Sequence, residues 1–307
     1  MALTIQENIP LSPLTTFKIG GAAKHFVKVR SEEEIREAIA WAKGKEVRHL
    51  ILSGGSNVLV PDGGFDGLVI QLKGNLWGVS GDSIEAWAGT NLMELIRAFG
   101  LQGKGGWEKL AGIPGTIGGA VRGNAGAFGT EIKDFVRRVR ALNVETSEVR
   151  DFSNAECDFS YRHSFFKDHP EWVVTRVFID LQTIDAAESA RLTAETIAER
   201  EKRHLQNVQA AGSFFMNPKA QPEIIAMFEK EKSIKSREGR VPAGWIIEKA
   251  GMKGATVGGA IASLQHPNYI VNTGNATAHD VCNLAQMIKL EVYNQFQVEL
   301  YEEAAIL

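Results

Sequence analysis

Apolar positions in the first third of the chain alternate between a period of two and a period near 3.6. Residues 25–30 (HFVKVR) read as a strand. Ser31 then opens a helix, with Glu34 at the capping-box position and Ile35, Ile39 and Ala42 recurring on one face. Gly44 ends that helix, and HLIL (49–52) reads as a buried strand running straight into SGGSN. The pattern is a β-α-β unit closed by a glycine turn. LVIQL (68–72) and SIEAWAG (83–89) continue as strands, and Asn91-Leu-Met-Glu94 opens a second helix with the same capping logic. RRVRALNVET (137–146) and WVVTRVFIDL (172–181) alternate as half-buried strands.

A charged helix is expected from about Ala187 to His204, bridging two domains. Beyond Ser213 the pattern turns helical around 221–231, 243–250 and 277–295. The last carries a Thr277/Asp280 cap and an apolar face of Val281, Leu284, Ile288 and Val292. The final VELYEEAAIL alternates as a strand, with Glu302 and Glu303 on opposite faces. The fold class is therefore α+β, with one boundary near 200 and another near 70.

Composition narrows the function classes. A net charge of −3 from 34 basic and 37 acidic residues argues against a general nucleic-acid binder. Cys157 and Cys282 have neither metal-ligand spacing nor a disulfide framework, which points to a reducing cytoplasm. The start has no basic segment leading into a long apolar run, so a secretory signal is not expected. No stretch approaches the roughly 18 uninterrupted apolar residues of a membrane helix. No His-x-x-x-His pair or acidic cluster suggests a metal, and none is expected.

The 31 glycines cluster. Two loops are suited to phosphate: Gly54-Gly55-Ser56-Asn57 and Gly112-Ile-Pro-Gly115-Thr-Ile-Gly118-Gly119. Without Cβ atoms their backbone N–H groups can converge on anionic oxygens, and Ser56, Asn57 and Thr116 add side-chain donors. Neither is a Walker A loop or a Gly-x-Gly-x-x-Gly turn, and either alone could be a tight turn. Together, the first following a β-α-β unit, they suit the diphosphate and flat ring of a dinucleotide cofactor.

Three further places look chemical. Arg162, in CDFSYRHSFF (157–166), has apolar neighbours and needs an anionic partner, a salt bridge or an aromatic face. Ser213, in AAGSFFMNP (210–218), is either a hydroxyl bonded to nearby backbone or a proton donor, and it lacks the Gly-x-Ser-x-Gly elbow of a hydrolase nucleophile. A glutamate at the very end could equally be a solvated charge.

Seven segments occur in an order that resembles one family: TFKIGG, GGSNVLV, AGIPGTIGGAVRGNAGAFG, YRHSFFK, AGSFFMNP, PAGWIIEKAGMKG and HPNYIVNTGNATA. From about Leu11 to Glu303 the chain is similar to the UDP-N-acetylenolpyruvoylglucosamine reductases, also called UDP-N-acetylmuramate dehydrogenases. The resemblance implies a cytoplasmic flavoenzyme of peptidoglycan precursor synthesis that contains FAD and uses NADPH as co-substrate. It would reduce UDP-N-acetylglucosamine enolpyruvate to UDP-N-acetylmuramate. It implies a two-domain FAD-binding scaffold of the vanillyl-alcohol-oxidase type plus a third α+β domain that binds the nucleotide-sugar substrate. The domains would be 1–70, completed by 298–307, then 71–199 and 200–297. A monomer is expected, with no nucleic-acid or membrane partner.

Residue by residue, Ser213 matches the family's proton donor, Arg162 its catalytic arginine and Glu303 its terminal acid. FAD contacts are implied at Gly54, Gly55, Ser56, Asn57, Val58, Gly112, Ile113, Gly115, Thr116, Gly118, Gly119, Asn124 and Gly126. Substrate contacts are implied at Arg203, Asn217 and His266. The family usually has lysine where Met216 and Gln265 stand. Its Glu-Pro before the terminal acid is Tyr301-Glu302 here, and the basic residue after it is replaced by Ala304-Ala305. The stretch between Phe166 and Trp172 is too short for a tyrosine-bearing loop, which resembles the shorter, second type. The alternatives are another FAD-dependent oxidoreductase on the same scaffold, such as an alcohol or sugar oxidase, or a catalytically decayed flavin-binding homologue.

Overall fold

The computed structural model describes residues 3–80, 83–203 and 207–307. The chain folds as two compact units. One comprises the described residues up to Ile9 with Ala23–Gly55 and Phe65–Lys202; the other comprises Pro10–Ala22, Ser56–Gly64 and the described residues from Arg203 to Leu307.

The first unit carries the β-α-β unit expected from periodicity. Ser31 accepts a hydrogen bond from Glu34 N at 3.2 Å and starts the helix Glu32–Gly44, which buries Ile35, Ala38, Ile39 and Ala42. The strands run Gln6–Pro10, Ala22–Val29, Phe65–Leu72, His49–Leu52 across one sheet, the last three parallel. A second, antiparallel sheet runs Val149–Ser153, Val136–Asn143, Trp172–Ile179, Ser83–Trp87, Trp77–Ser80. The helix Leu92–Gly100 starts where Asn91 Oδ1 accepts from Glu94 N at 3.0 Å. Both sheets share a single hydrophobic core, from Val27 and Ile70 to Val139 and Val177. The charged helix spans Ala186–Lys202, and its expected end at His204 lies outside the described residues.

In the second unit, Thr277 and Asp280 form the expected reciprocal cap, at 3.0 Å and 2.9 Å, on the helix Ala278–Phe296. Its Val281, Leu284, Ile288 and Val292 are all fully buried, each worth roughly 1.5–3 kcal/mol of apolar burial. They pack with the helix Ala243–Lys249 and the antiparallel strands Ala260–Ala262 and Ile270–Asn272. The chain end differs from the expected continuous strand. Only Ala305–Ile306 is strand, paired in parallel with Val58–Leu59, while Tyr301–Glu303 pair with residues 214–216 instead. No described helix is long and apolar enough to cross a membrane.

Candidate active site

Within the first unit the start of the first glycine loop meets the second. The His49–Leu52 strand delivers the chain into Ser53-Gly54-Gly55, and the Ser53 and Thr116 hydroxyls hydrogen-bond each other. A Cβ on Gly54 would lie 2.6 Å from Gly115 Cα, so no side chain fits there. Gly55 at φ +63° and Gly115 at φ +119° hold conformations that favour glycine. The second loop is laid along the start of the Leu92–Gly100 helix: Leu92 N donates to Gly115 O at 3.1 Å and Ile117 N to Thr90 O at 2.9 Å. Thr116 caps the short helix Ile117–Arg122 by accepting from Gly119 N at 3.3 Å.

These bonds account for some N–H groups and leave others open. Gly118 N is taken by Ala88 O at 3.0 Å, Ile113 N by Leu110 O at 3.2 Å, and Gly112 N lies 3.4 Å from Met93 Sδ. Among the described residues, the N–H groups of Gly54, Gly55, Gly115 and Thr116 donate to no protein acceptor. A close-packed pair of glycine loops with open donors is a cradle for an anionic group. The residues present therefore fit the diphosphate of FAD.

Asn124, Gly126 and Arg162 also come together in this unit. Asn124 is fully buried, and its amide donates to Ser160 O at 2.8 Å and Glu131 Oε2 at 3.2 Å. Ser160 and His163 close a turn through mutual backbone bonds of 3.1 Å, with Arg162 held at φ +57° inside it. The left-handed conformation costs an arginine roughly 1–2 kcal/mol, so the surrounding contacts must hold it there. Arg162 Nη2 donates to Gly126 O at 3.0 Å, and its guanidinium lies 5.1 Å from the Tyr161 ring. The neighbouring phenylalanines serve the core instead: Phe166 is buried against Phe152.

In the second unit Ser213 and Glu303 become neighbours. Gly212, at φ +77°, turns the chain so that residues 214–216 run as an extended segment between two others. On one side Glu303 N donates to Phe214 O at 2.8 Å, and Met216 N to Tyr301 O at 2.9 Å. On the other, Phe214 N donates to Asn268 O at 2.7 Å. Phe214 and Phe215 are buried, Ser213 and Glu303 are half-buried, and among the described residues the Ser213 hydroxyl has no hydrogen-bond partner. Of the two possibilities for Ser213, the backbone-bonded hydroxyl is thus not the one observed. Lys289 Nζ sits 2.9 Å and 3.1 Å from the two carboxylate oxygens of Glu302, and Glu303 is joined to this segment through its backbone N–H on Phe214 O.

The same unit holds Ser56, Asn57 and Val58. Asn57 Nδ2 donates to Glu303 O at 3.1 Å, Ala305 N donates to Asn57 O at 3.0 Å, and Val58 pairs with Ala305. The Thr16 hydroxyl lies 2.7 Å from Ala210 O and 3.2 Å from Ser56 O, tying Ser56 to the chain entering Gly212. Asn217 Oδ1 accepts from Ala243 N at 2.9 Å, at the start of the Ala243–Lys249 helix, and its carbonyl accepts from Arg240 Nη1 at 2.8 Å. His266 is held below its ordinary pKa, chiefly by burial and further by the charge of Arg203. Its Nδ1 is buried with no partner among the described residues.

Sequence reasoning passed over Thr16, Ser53 and Asn268. Thr16 and Asn268 lie inside TFKIGG and HPNYIVN, so the segments were visible. Their roles consist of bonds to groups distant in sequence, for which spacing gives no signal.

The C-terminal part, residues 203–307, matches the family model described as UDP-N-acetylenolpyruvoylglucosamine reductase, C-terminal domain. Residues 23–153 match a model described as FAD binding domain. The UDP-N-acetylenolpyruvoylglucosamine reductase of Solibacter usitatus is 36% identical over 304 residues, covering 98% of this chain and 96% of that one. The protein of the same name from Carboxydothermus hydrogenoformans is 36% identical over 305 residues, covering 99% and 94%. The crystal structure of UDP-N-acetylenolpyruvylglucosamine reductase from Thermus caldophilus superposes with a TM-score of 0.79 at 31% identity, covering 99% of both chains. With similarity of this degree running the length of the molecule, the chain belongs to the UDP-N-acetylenolpyruvoylglucosamine reductase family.

Proposed function

We propose that this chain reduces the enolpyruvyl ether of UDP-N-acetylglucosamine to the lactyl ether of UDP-N-acetylmuramate, with NADPH as reductant and FAD as its resident cofactor. The observation that carries the reading is the pairing of the 214–216 segment with the chain end, Glu303 N donating to Phe214 O, next to a serine whose hydroxyl has no hydrogen-bond partner among the described residues.

When bound, FAD supplies the hydride chemistry between NADPH and the vinyl carbon of the substrate. Gly54, Gly55, Gly115 and Thr116 would hold it through their open N–H groups. Ser56, Asn57 and Val58, the rest of the 112–119 loop, Asn124 and Gly126 complete the proposed cofactor set. Addition of hydride leaves negative charge shared between the adjacent carbon and the carboxylate. Arg162 places a cation where that charge develops, the usual logic of electrostatic stabilisation. Ser213 donates its proton to the adjacent carbon. A serine is a weak acid in water, so the step needs a strongly basic acceptor and a site without solvent, and the buried Phe214 and Phe215 exclude water from one side. Glu303 orients the reacting group. Arg203, Asn217 and His266 contact the nucleotide sugar, and the buried Nδ1 of His266 is suited to a ligand polar group.

The division into 1–70 with 298–307, 71–199 and 200–297 is proposed as the functional one, as are the shorter second type, a monomer and a cytoplasmic setting. The test is direct. Purified protein should be yellow, bleach with NADPH in the absence of oxygen, and recover its colour on adding the enolpyruvyl nucleotide. Protein that is reduced by NADPH yet never reoxidised by that nucleotide would overturn the proposal.

A further inference from the structure

We propose that Asn268 is the positioning residue for this chemistry: one buried side chain sets the segment that carries Ser213 and, through it, the chain end that carries Glu303. The inference rests on the roles proposed above for those two residues.

Asn268 is only 2% exposed. Its Oδ1 accepts from Phe215 N at 2.9 Å and its Nδ2 donates to Phe215 O at 2.8 Å. Its own carbonyl accepts from Phe214 N at 2.7 Å. Both ends of the amide are thus bonded to the backbone of a single residue, as a neighbouring strand would be. An Asn amide matches a peptide group in shape and polarity, so it can stand in for a strand where no strand runs. Burial makes each of these bonds costly to lose, because the backbone groups would be left without partners.

The anchor behind Asn268 is stiff. Residues 263–269 join the paired strands Ala260–Ala262 and Ile270–Asn272, and Ser263 N donates to Tyr269 O at 2.9 Å to close the hairpin. Ser263 Oγ accepts from Gln265 N and His266 N, each at 3.2 Å, and Tyr269 N donates to His266 O at 2.8 Å. From this hairpin the order passes outward. Asn268 fixes residues 214–215, and Phe214 O then accepts from Glu303 N at 2.8 Å. Ser213 is the next residue back along the same segment. Among the described residues its hydroxyl has no hydrogen bond to hold it, so its direction is set by the backbone that Asn268 grips.

Asn268→Ser keeps a small polar group but reaches neither Phe215 N nor Phe215 O. A displacement of about 1 Å at a reacting group can cost on the order of 100-fold in rate. Asn268→Ser should therefore lower kcat for substrate turnover by about that factor, with little change in KM and with flavin reduction by NADPH intact. Amide hydrogen exchange at Phe214 and Phe215 should speed up while the helix Ala278–Phe296 stays protected. The decisive comparison is the double variant with Ser213→Ala. With Ser213 gone, only the hold on Glu303 is left for Asn268 to exert, so the second substitution should cost much less than it does in the wild type. If Asn268→Ser does not fold, Asn268→Asp, which keeps the Oδ1 acceptor, is read by the same criteria. A loss shared by both half-reactions, a change in KM alone, or losses that multiply in the double variant would overturn the positioning role. Full activity of Ser213→Ala would instead overturn the reading on which it rests.

Discussion

Removing the Ser213 hydroxyl separates chemistry from stability more cleanly than any other change at this site. The side chain is half-buried and its hydroxyl has no hydrogen-bond partner among the described residues. Ser213→Ala leaves no buried polar group orphaned, and its effect on folding should stay within about 0.5 kcal/mol. Ser164→Ala is the instructive contrast. Ser164 is fully buried and its Oγ donates to Arg122 O at 2.8 Å, so that substitution should cost about 1–3 kcal/mol of stability. For catalysis the order reverses. A positioned proton donor contributes roughly 100- to 10,000-fold, and Ser213→Ala should lose that much in the substrate half-reaction. Anaerobic stopped-flow absorbance reads the two halves separately: bleaching by NADPH should keep its wild-type rate, while recovery of colour with the enolpyruvyl nucleotide should slow. Recovery slowed only a few-fold, or a melting temperature that falls as far as that of Ser164→Ala, would refute the reasoning.

Three further outcomes follow from the geometry. Gly54→Ala puts a Cβ 2.6 Å from Gly115 Cα and must force the loops apart at about 1–3 kcal/mol, which corresponds to roughly 5- to 150-fold weaker FAD binding if it falls on affinity. Gly44→Ala, with nothing within 4 Å of the added carbon, should leave FAD titration and melting temperature unimpaired. His266 is held below its ordinary pKa by burial and Arg203, so the unfolded chain takes up the proton first and stability drops as pH falls below about 6.5. Thermal melts against pH should show a shallower acid limb for His266→Gln, with a residual slope from His49, which burial and Lys43 also hold low. The thiol of fully buried Cys157 is pushed up to about 12 by burial, so maleimide at pH 8 followed by peptide mass analysis should find it unlabelled in folded protein and labelled in denaturant.

Local signals placed most regular elements well. The helices after Ser31, Asn91 and Thr277 start where a short polar side chain accepts the N–H three residues on, an interaction contained within four residues. The strands at 49–52 and 172–179 announce themselves by apolar content and alternation. The glycine-rich stretch was legible as a place of close approach, but not as containing the helix Ile117–Arg122. Only Ile117, Ala120 and Val121 mark its buried side, too few positions for a helical period to show. The chain end was misread as a continuous strand because alternation cannot show that residues 301–303 pair with residues 214–216.

The order of the motifs, the caps and the two glycine loops could all be read from the chain alone, because each depends on residues close together in sequence. The contact between Gly54 and Gly115, the strained turn around Arg162, and the grip of Asn268 and Glu303 on residues 214–215 depended on the tertiary structure. Each depends on a partner far away in sequence, Gly54 on Gly115, Arg162 on the carbonyl of Gly126, and residues 214–215 on Asn268 and Glu303, and in each case one side of the contact is backbone, which every residue carries alike. Side-chain identity can say where such a group is allowed to approach, but only packing decides which group it meets.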